Sequence, residues 1–101
     1  MTAIRVPAHL SKPAQALYRA VLSRYILEEH HVAIFVKSLE AFDRAEAARA
    51  VIERDGVLTT SRLGEVKPHP AVSIERDARR AFLAGIKQLG LDVEPSPSHR
   101  R

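Results

Sequence analysis

The chain contains no cysteine and no tryptophan. The absence of cysteine excludes disulfide bonds and any thiolate metal site, and it suits a reducing cytoplasm. Aromatic residues make up only 5% of the 101 residues, which disfavours the stacking platforms that bind single-stranded nucleic acid. No apolar run approaches the ~18–20 residues that span a bilayer, and the first ten residues lack the apolar core of a signal peptide. We therefore expect a soluble cytoplasmic protein with no membrane partner.

The chain also lacks the residue spacings that support metal binding or catalysis. His30 and His31 are adjacent, so on a helix they point about 100° apart and cannot chelate an ion as an i,i+4 pair does. His69 has no serine or carboxylate at motif spacing, its flanking prolines are expected to expose it, and no phosphate-cradling glycine loop is present. We predict no enzyme, no metal and no cofactor, and we expect His69→Ala to be nearly silent for stability.

Helical periodicity is the main feature that is present. Ser11, Lys12 and Pro13 form a helix-start signal, and apolar residues recur at helical spacing to about residue 26. A second helix is predicted from about 28 to 55, ending at Gly56, where a left-handed cap belongs. Because a chain of this length buries only a modest core, we expect the apolar, alanine-rich face of this helix to contact other copies. The predicted oligomer interface consists of Phe35, Leu39, Phe42, Ala45 and Ala48.

Residues 57–68 lose the helical period. Residues 57–60 favour extended backbone and Gly64 marks a turn, so this stretch is a small hairpin-like insertion or an irregular loop. The following KPHPAV holds two prolines, and Pro70 can occupy the first turn of a third helix, about 70–89. The prediction is an all-α fold of three main helices (about 12–26, 28–55 and 70–89). It forms a single domain, residues 1–91, with a flexible basic tail at 92–101.

Charge is distributed unevenly along the chain. Residues 1–25 carry four basic groups and no acid, residues 26–55 four against seven acids, and residues 56–101 eight against five. This order allows contact with a polyanion at the two ends while the middle faces protein. On the third helix Arg76, Arg80 and Lys87 fall within about 40° of one another, which suits successive phosphates of duplex DNA. The competing DNA-binding stripe on the first helix consists of Lys12, Arg19 and Arg24. A plain solvated face is the alternative for both stripes.

The order of these features resembles the small subunit of phage terminase. A helix ends in Gly56, an extended stretch follows with Gly64, and His69-Pro70 opens another helix. Leu89-Gly90-Leu91 closes that helix before an end with proline, serine and arginine, so the similarity covers about residues 14–101. The resemblance implies a non-enzymatic, phage- or prophage-encoded protein that assembles into a ring of identical subunits. It also implies recognition of the packaging site on viral DNA and recruitment or regulation of the large terminase subunit, which carries the ATPase and nuclease.

A second hypothesis comes from a different functional class. The chain would then be a small helical adaptor or antitoxin-like module that binds only a protein partner. Salt-dependent binding to duplex DNA separates the two hypotheses, because the adaptor does not need it.

Overall fold

A computed structural model describes residues 5–93 of the chain. Three helices and a two-stranded antiparallel sheet follow one another in the order α1, α2, β1, β2, α3. The elements are α1 Lys12–Arg24, α2 Glu29–Asp55, β1 Leu58–Thr60, β2 Val66–Pro68 and α3 Pro70–Gln88. The predicted all-α fold with a short extended insertion is confirmed, and the insertion is a hairpin rather than an irregular loop. Most of the predicted tail, from residue 94 onward, lies outside the described residues.

The start of α1 is fixed by a cap that also joins it to α2. The Ser11 side chain accepts a hydrogen bond from the N–H of Ala14 at 3.2 Å. The backbone N–H of Ser11 donates to the Asp43 carboxylate at 2.8 Å, and its hydroxyl donates to the other oxygen of the same carboxylate. The helix ends at Arg24 rather than at the predicted residue 26, because Tyr25 adopts extended backbone.

Glycines end α2 and α3 as the sequence predicted. Gly56 has φ 84°, and its N–H donates to the carbonyl of Ile52 at 2.6 Å. Gly90 has φ 70°, and the N–H groups of Gly90 and Leu91 return to the last turn of α3 at 3.0 and 2.9 Å. This pair of bonds is a Schellman motif. The outer bounds differ from the prediction by one residue: α2 begins at Glu29 and α3 ends at Gln88.

The core lies between α1 and α2 and extends to α3. Phe35 and Leu39 are 1% and 0% exposed, and they pack against Leu10 and Tyr18. The rings of Tyr18 and Phe35 stack with centroids 6.0 Å apart. A second aromatic pair, with the ring centroid of Phe42 5.2 Å from that of an α3 phenylalanine, joins α2 to α3. One continuous apolar cluster therefore holds the three helices together.

α2 and α3 approach each other closely at Ser38 and Gly85. Ser38 is buried, and its hydroxyl donates to the carbonyl of Ile34 at 3.0 Å. A Cβ added at Gly85 would lie 1.8 Å from the Ser38 hydroxyl oxygen and 2.9 Å from its Cβ. A larger residue at position 85 therefore requires the two helices to move apart or Ser38 to rearrange.

We expect Gly85→Ala to destabilise the chain by up to about 2 kcal/mol. The added methyl group overpacks the contact at a cost of ~1–3 kcal/mol, and the gain in helix propensity offsets ~1 kcal/mol of it. Urea unfolding followed by circular dichroism measures the difference. Adding Ser38→Ala removes the hydroxyl that meets the new methyl group and should restore part of the loss, whereas a stabilised Gly85→Ala protein would contradict the close contact.

The folded chain is elongated. Its principal extents are 62 × 24 × 20 Å and its radius of gyration is 17.3 Å. A compact domain of about 100 residues has a radius of gyration of about 13 Å. Among residues 5–93, several large apolar side chains stay more than half exposed within one chain, among them Ile26, Leu63 and Leu83.

Candidate nucleic-acid interface

The basic stripe predicted on α3 is exposed, but its members differ in their partners. Arg76, Arg80 and Lys87 all lie on the side of α3 turned away from α2. The guanidinium of Arg76 contacts the carboxylate of Asp77 at 3.3 Å. Within residues 5–93, neither Arg80 nor Lys87 has an ion-pair partner. These two cations therefore carry most of the available positive charge of the stripe.

The basic stripe on α1 is exposed as well. Lys12 and Arg19 lie two turns apart on one side of the helix, and α1 itself contains no acidic residue. No acidic side chain of the described part of the chain pairs with either of them. Arg24 is exposed in the last turn of α1, away from the direction that Lys12 and Arg19 share. The two stripes thus occupy separate helices, each on a face directed away from the core.

One further exposed cation lies in the hairpin, and sequence reasoning did not single it out. Arg62 sits in the turn between β1 and β2, without an ion-pair partner in the range 5–93. Lys67 of β2, in contrast, contacts the carboxylate of Glu65 at 3.6 Å. In the sequence, the only indication that Arg62 is exposed was its position between two extended segments.

His69 is a structural residue, and the expectation that it is exposed is wrong. Its side chain is 18% exposed, and its Nδ1 accepts a hydrogen bond from the N–H of Ala71 at 3.0 Å, which caps α3. Because Nδ1 accepts, the ring proton is on Nε2, which donates to the carboxylate of Asp55 at 3.1 Å. The imidazole therefore joins the start of α3 to the end of α2, across the base of the hairpin.

We therefore expect His69→Ala to destabilise the chain by about 1 kcal/mol, the usual cost of losing an N-cap. His69→Asn is the matched variant, because its amide oxygen can still accept from the N–H of Ala71 and should recover most of the loss. Chemical unfolding of the three proteins at pH 7 measures the difference. Equal stability of the wild type and His69→Ala would support the original expectation of a silent substitution.

The carboxyl of Asp55, which accepts the hydrogen bond from His69, has a lowered pKa. Hydrogen bonds from Arg54, and to a lesser degree from His69, lower the pKa of its carboxyl to about 2. A carboxyl with a lowered pKa stabilises the folded state above its unfolded pKa near 4, and it loses that contribution as the pH falls through about 2.

We expect the stability difference between the wild type and Asp55→Asn to be constant from pH 7 to about 5. It should shrink steadily as the pH falls from 4 to 2. Unfolding midpoints recorded across this range check the prediction. A difference that stays the same at pH 2 would mean that the charge of Asp55 does not contribute.

The side chains predicted to face other copies are mostly buried inside a single chain. Phe35 and Leu39 lie in the core, and Phe42 packs on α3. Ala45 and Ala48 are 6% and 7% exposed, which leaves them little free surface. Their burial is explained by contacts within one chain, and their role between copies stays a prediction.

The described residues contain no cluster suited to a metal. Within residues 5–93, no group of three or more histidine, aspartate and glutamate side chains is arranged to hold an ion. The rings of His30 and His31 are adjacent, with centroids 4.0 Å apart. No helix within these residues is long and apolar enough to cross a membrane.

The sequence comparison decides the family. A family model described as "Phage terminase, small subunit" matches residues 14–100. The chain belongs to this family. The match includes nearly all of α1, the whole of α2 and α3, and the hairpin between them, so the terminase resemblance noted in the sequence is confirmed. No curated protein and no solved structure matches the chain. Membership in the small terminase subunit family implies a role in phage DNA packaging, and such subunits are generally non-catalytic.

Proposed function

We propose that this chain recognises viral duplex DNA at the packaging site and recruits or regulates the large terminase subunit. It acts without catalysis and without a cofactor, as a ring of identical copies in the cytoplasm of the host cell. The family match over residues 14–100 supports the packaging role. The observation that supports DNA contact is the exposure of Lys12, Arg19, Arg80 and Lys87 on α1 and α3, none of which has an ion-pair partner among residues 5–93.

These unpaired cations are suited to phosphate contacts. A lysine or arginine already held by a carboxylate loses that ion pair when it binds a phosphate, whereas an unpaired one does not. The acidic side chains of the described chain concentrate on α2, where several pair with neighbouring basic groups. Unpaired positive charge is thus available on α1 and α3, which agrees with the basic–acidic–basic order of the sequence. Of the lysines and arginines of α2, only Arg44 lacks an ion-pair partner within residues 5–93.

Exposed apolar side chains support assembly into an oligomer. Among residues 5–93, Leu63, Val66 and Leu83 are 89%, 63% and 55% exposed in a single chain. Contacts between copies would remove such side chains from water. A stable contact between proteins covers about 800 Å² on each partner, and a subunit in a ring makes two such contacts.

Fluorescence anisotropy with labelled duplex DNA at several salt concentrations tests the proposal. We expect binding that weakens with salt, with a slope of log affinity against log salt of ~0.9 for each phosphate contact. Light scattering on the same sample should give a mass well above 11.2 kDa at tens of micromolar. Absence of duplex binding at 50 mM salt would overturn DNA recognition and favour the adaptor hypothesis, and a monomeric mass would overturn the ring.

A further inference from the structure

The two faces of the β-hairpin differ in polarity. Cross-strand partners share a face, and the register pairs Leu58 with Pro68 and Thr60 with Val66. These four residues form one side, which we name the apolar face of the hairpin. The remaining pair, Thr59 and Lys67, lies on the opposite, polar side. The hairpin is therefore amphipathic, as a sheet with one covered face would be.

Nothing within residues 5–93 covers this apolar face. Leu58 and Val66 are 57% and 63% exposed, and Leu63 in the turn is 89% exposed. An isolated two-stranded hairpin is at best marginally stable in water and needs a further surface to pack against. The hairpin thus presents apolar side chains that an additional contact would bury.

An apolar groove opens between α2 and α3, at the end of these helices that the hairpin connects. It has a volume of about 360 Å³ and is mostly apolar in its lining. Ile74 on its α3 side is 48% exposed. The other apolar lining residues are Ala47, Ala48, Val51, Pro70 and Ala71, and Arg44 and His69 complete the lining.

We propose that the apolar face of the hairpin of one copy packs into this groove on a second copy. The inference rests on the oligomer of the proposed function and identifies its contact surfaces. Two different surfaces of the chain then meet, so each copy makes one contact through its hairpin and one through its groove. The contact would bury Leu58 and Val66 of one copy, which are 57% and 63% exposed, against Ile74 of the next, which is 48% exposed.

The location of the groove favours a closed assembly. The hairpin connects α2 to α3 and lies at the end of the helices where this groove opens. For copies related by rotation about an axis parallel to the helices, this contact therefore keeps neighbours level with one another. A second groove of about 430 Å³ lies further along α3, at Ala81 and Ala84. Since a helix rises 1.5 Å per residue, docking there would displace each copy along the helix axis by about 15 Å. Repeated displacement produces a filament instead of a ring.

Val66→Glu tests the hairpin surface, and Thr59→Glu is its matched control. Both variants add one negative charge to the hairpin, but only the first places it on the apolar face. We expect Val66→Glu to raise the dissociation constant between copies by about 100-fold, because a carboxylate would lose its hydration against the mostly apolar lining of the groove. Light scattering should then show a mass near 11.2 kDa for Val66→Glu and the wild-type mass for Thr59→Glu. Circular dichroism checks that the helices are retained.

Single cysteines test which surfaces meet, since the chain has no cysteine of its own. Val66→Cys protein carrying a size tag is mixed with untagged Ile74→Cys protein, unfolded and refolded together, and then oxidised. We expect disulfide-linked heterodimers from this mixture and none when Thr59→Cys replaces Val66→Cys. Because each protein has one cysteine, a disulfide can form only between chains.

The outcomes separate this inference from the proposed function. If the wild type is oligomeric but Val66→Glu keeps its mass and the cysteine pair does not cross-link, the hairpin contact is wrong and the oligomer stands. If the wild type is itself a monomer at tens of micromolar, both the oligomer and this contact are overturned. Loss of mass in Val66→Glu, together with cross-linking only from the apolar face, supports the contact.

Discussion

Replacing Phe35 with alanine should lower the free energy of unfolding of the single chain by about 3–5 kcal/mol. Phe35 is 1% exposed, stacks on Tyr18 and lies beside Leu39, so its removal leaves a cavity at the meeting point of α1 and α2. A domain of this size has ~5–15 kcal/mol of stability in total, so the variant should be close to unfolding.

Urea unfolding at a low protein concentration measures this effect, because dilution reduces the contribution of contacts between copies. Leu83→Ala is the control: Leu83 is a large apolar residue of α3 that is 55% exposed. Its replacement should change stability by less than about 0.5 kcal/mol. If Phe35→Ala instead left the unfolding curve unchanged and reduced only the oligomer mass, Phe35 would belong to the interface between copies, as the sequence first indicated.

The positions of the helices were predictable because their signals are local. Ser11 caps the first helix through its own side chain, Gly56 supplies the left-handed residue after the second, and Pro70 starts the third. Each signal acts within one turn of chain, so spacing alone reveals it. The early end of α1 was not predictable, because the apolar Ile26 and Leu27 continue the helical pattern while Tyr25 turns extended.

The contacts of individual side chains could not be predicted, because they depend on tertiary packing. His69 and Asp55 are 14 residues apart, and the pairing of β1 with β2 brings the imidazole to the carboxylate. Helical periodicity placed Phe35 on the apolar face of α2, but it did not show whether α1 or another copy would cover that face. Which basic groups were paired was likewise open until the structure showed Arg76 beside Asp77.

Because Arg76 is paired, Arg80 and Lys87 are the better candidates for DNA contact within the α3 stripe. Arg80 and Lys87 have no ion-pair partner among residues 5–93, whereas Arg76 does. We expect the double variant Arg80→Glu, Lys87→Glu to weaken duplex DNA binding by about 100-fold or more. Each lost phosphate contact removes ~0.9 from the salt slope, and in an oligomer the loss is repeated in every copy that touches the DNA.

The control must change the charge equally without touching the stripe. Lys37→Glu, Arg49→Glu reverses two exposed basic groups of α2 that already pair with glutamates, and it should reduce binding far less. DNA binding is titrated with salt for both double variants and for a third, Lys12→Glu, Arg19→Glu, and the oligomer mass of each is measured. The results compare the contributions of α3, α2 and α1 to DNA binding. If the α3 variant stays oligomeric and keeps the wild-type slope while the α1 variant loses binding, then α1 makes the DNA contact and the α3 stripe is a solvated face.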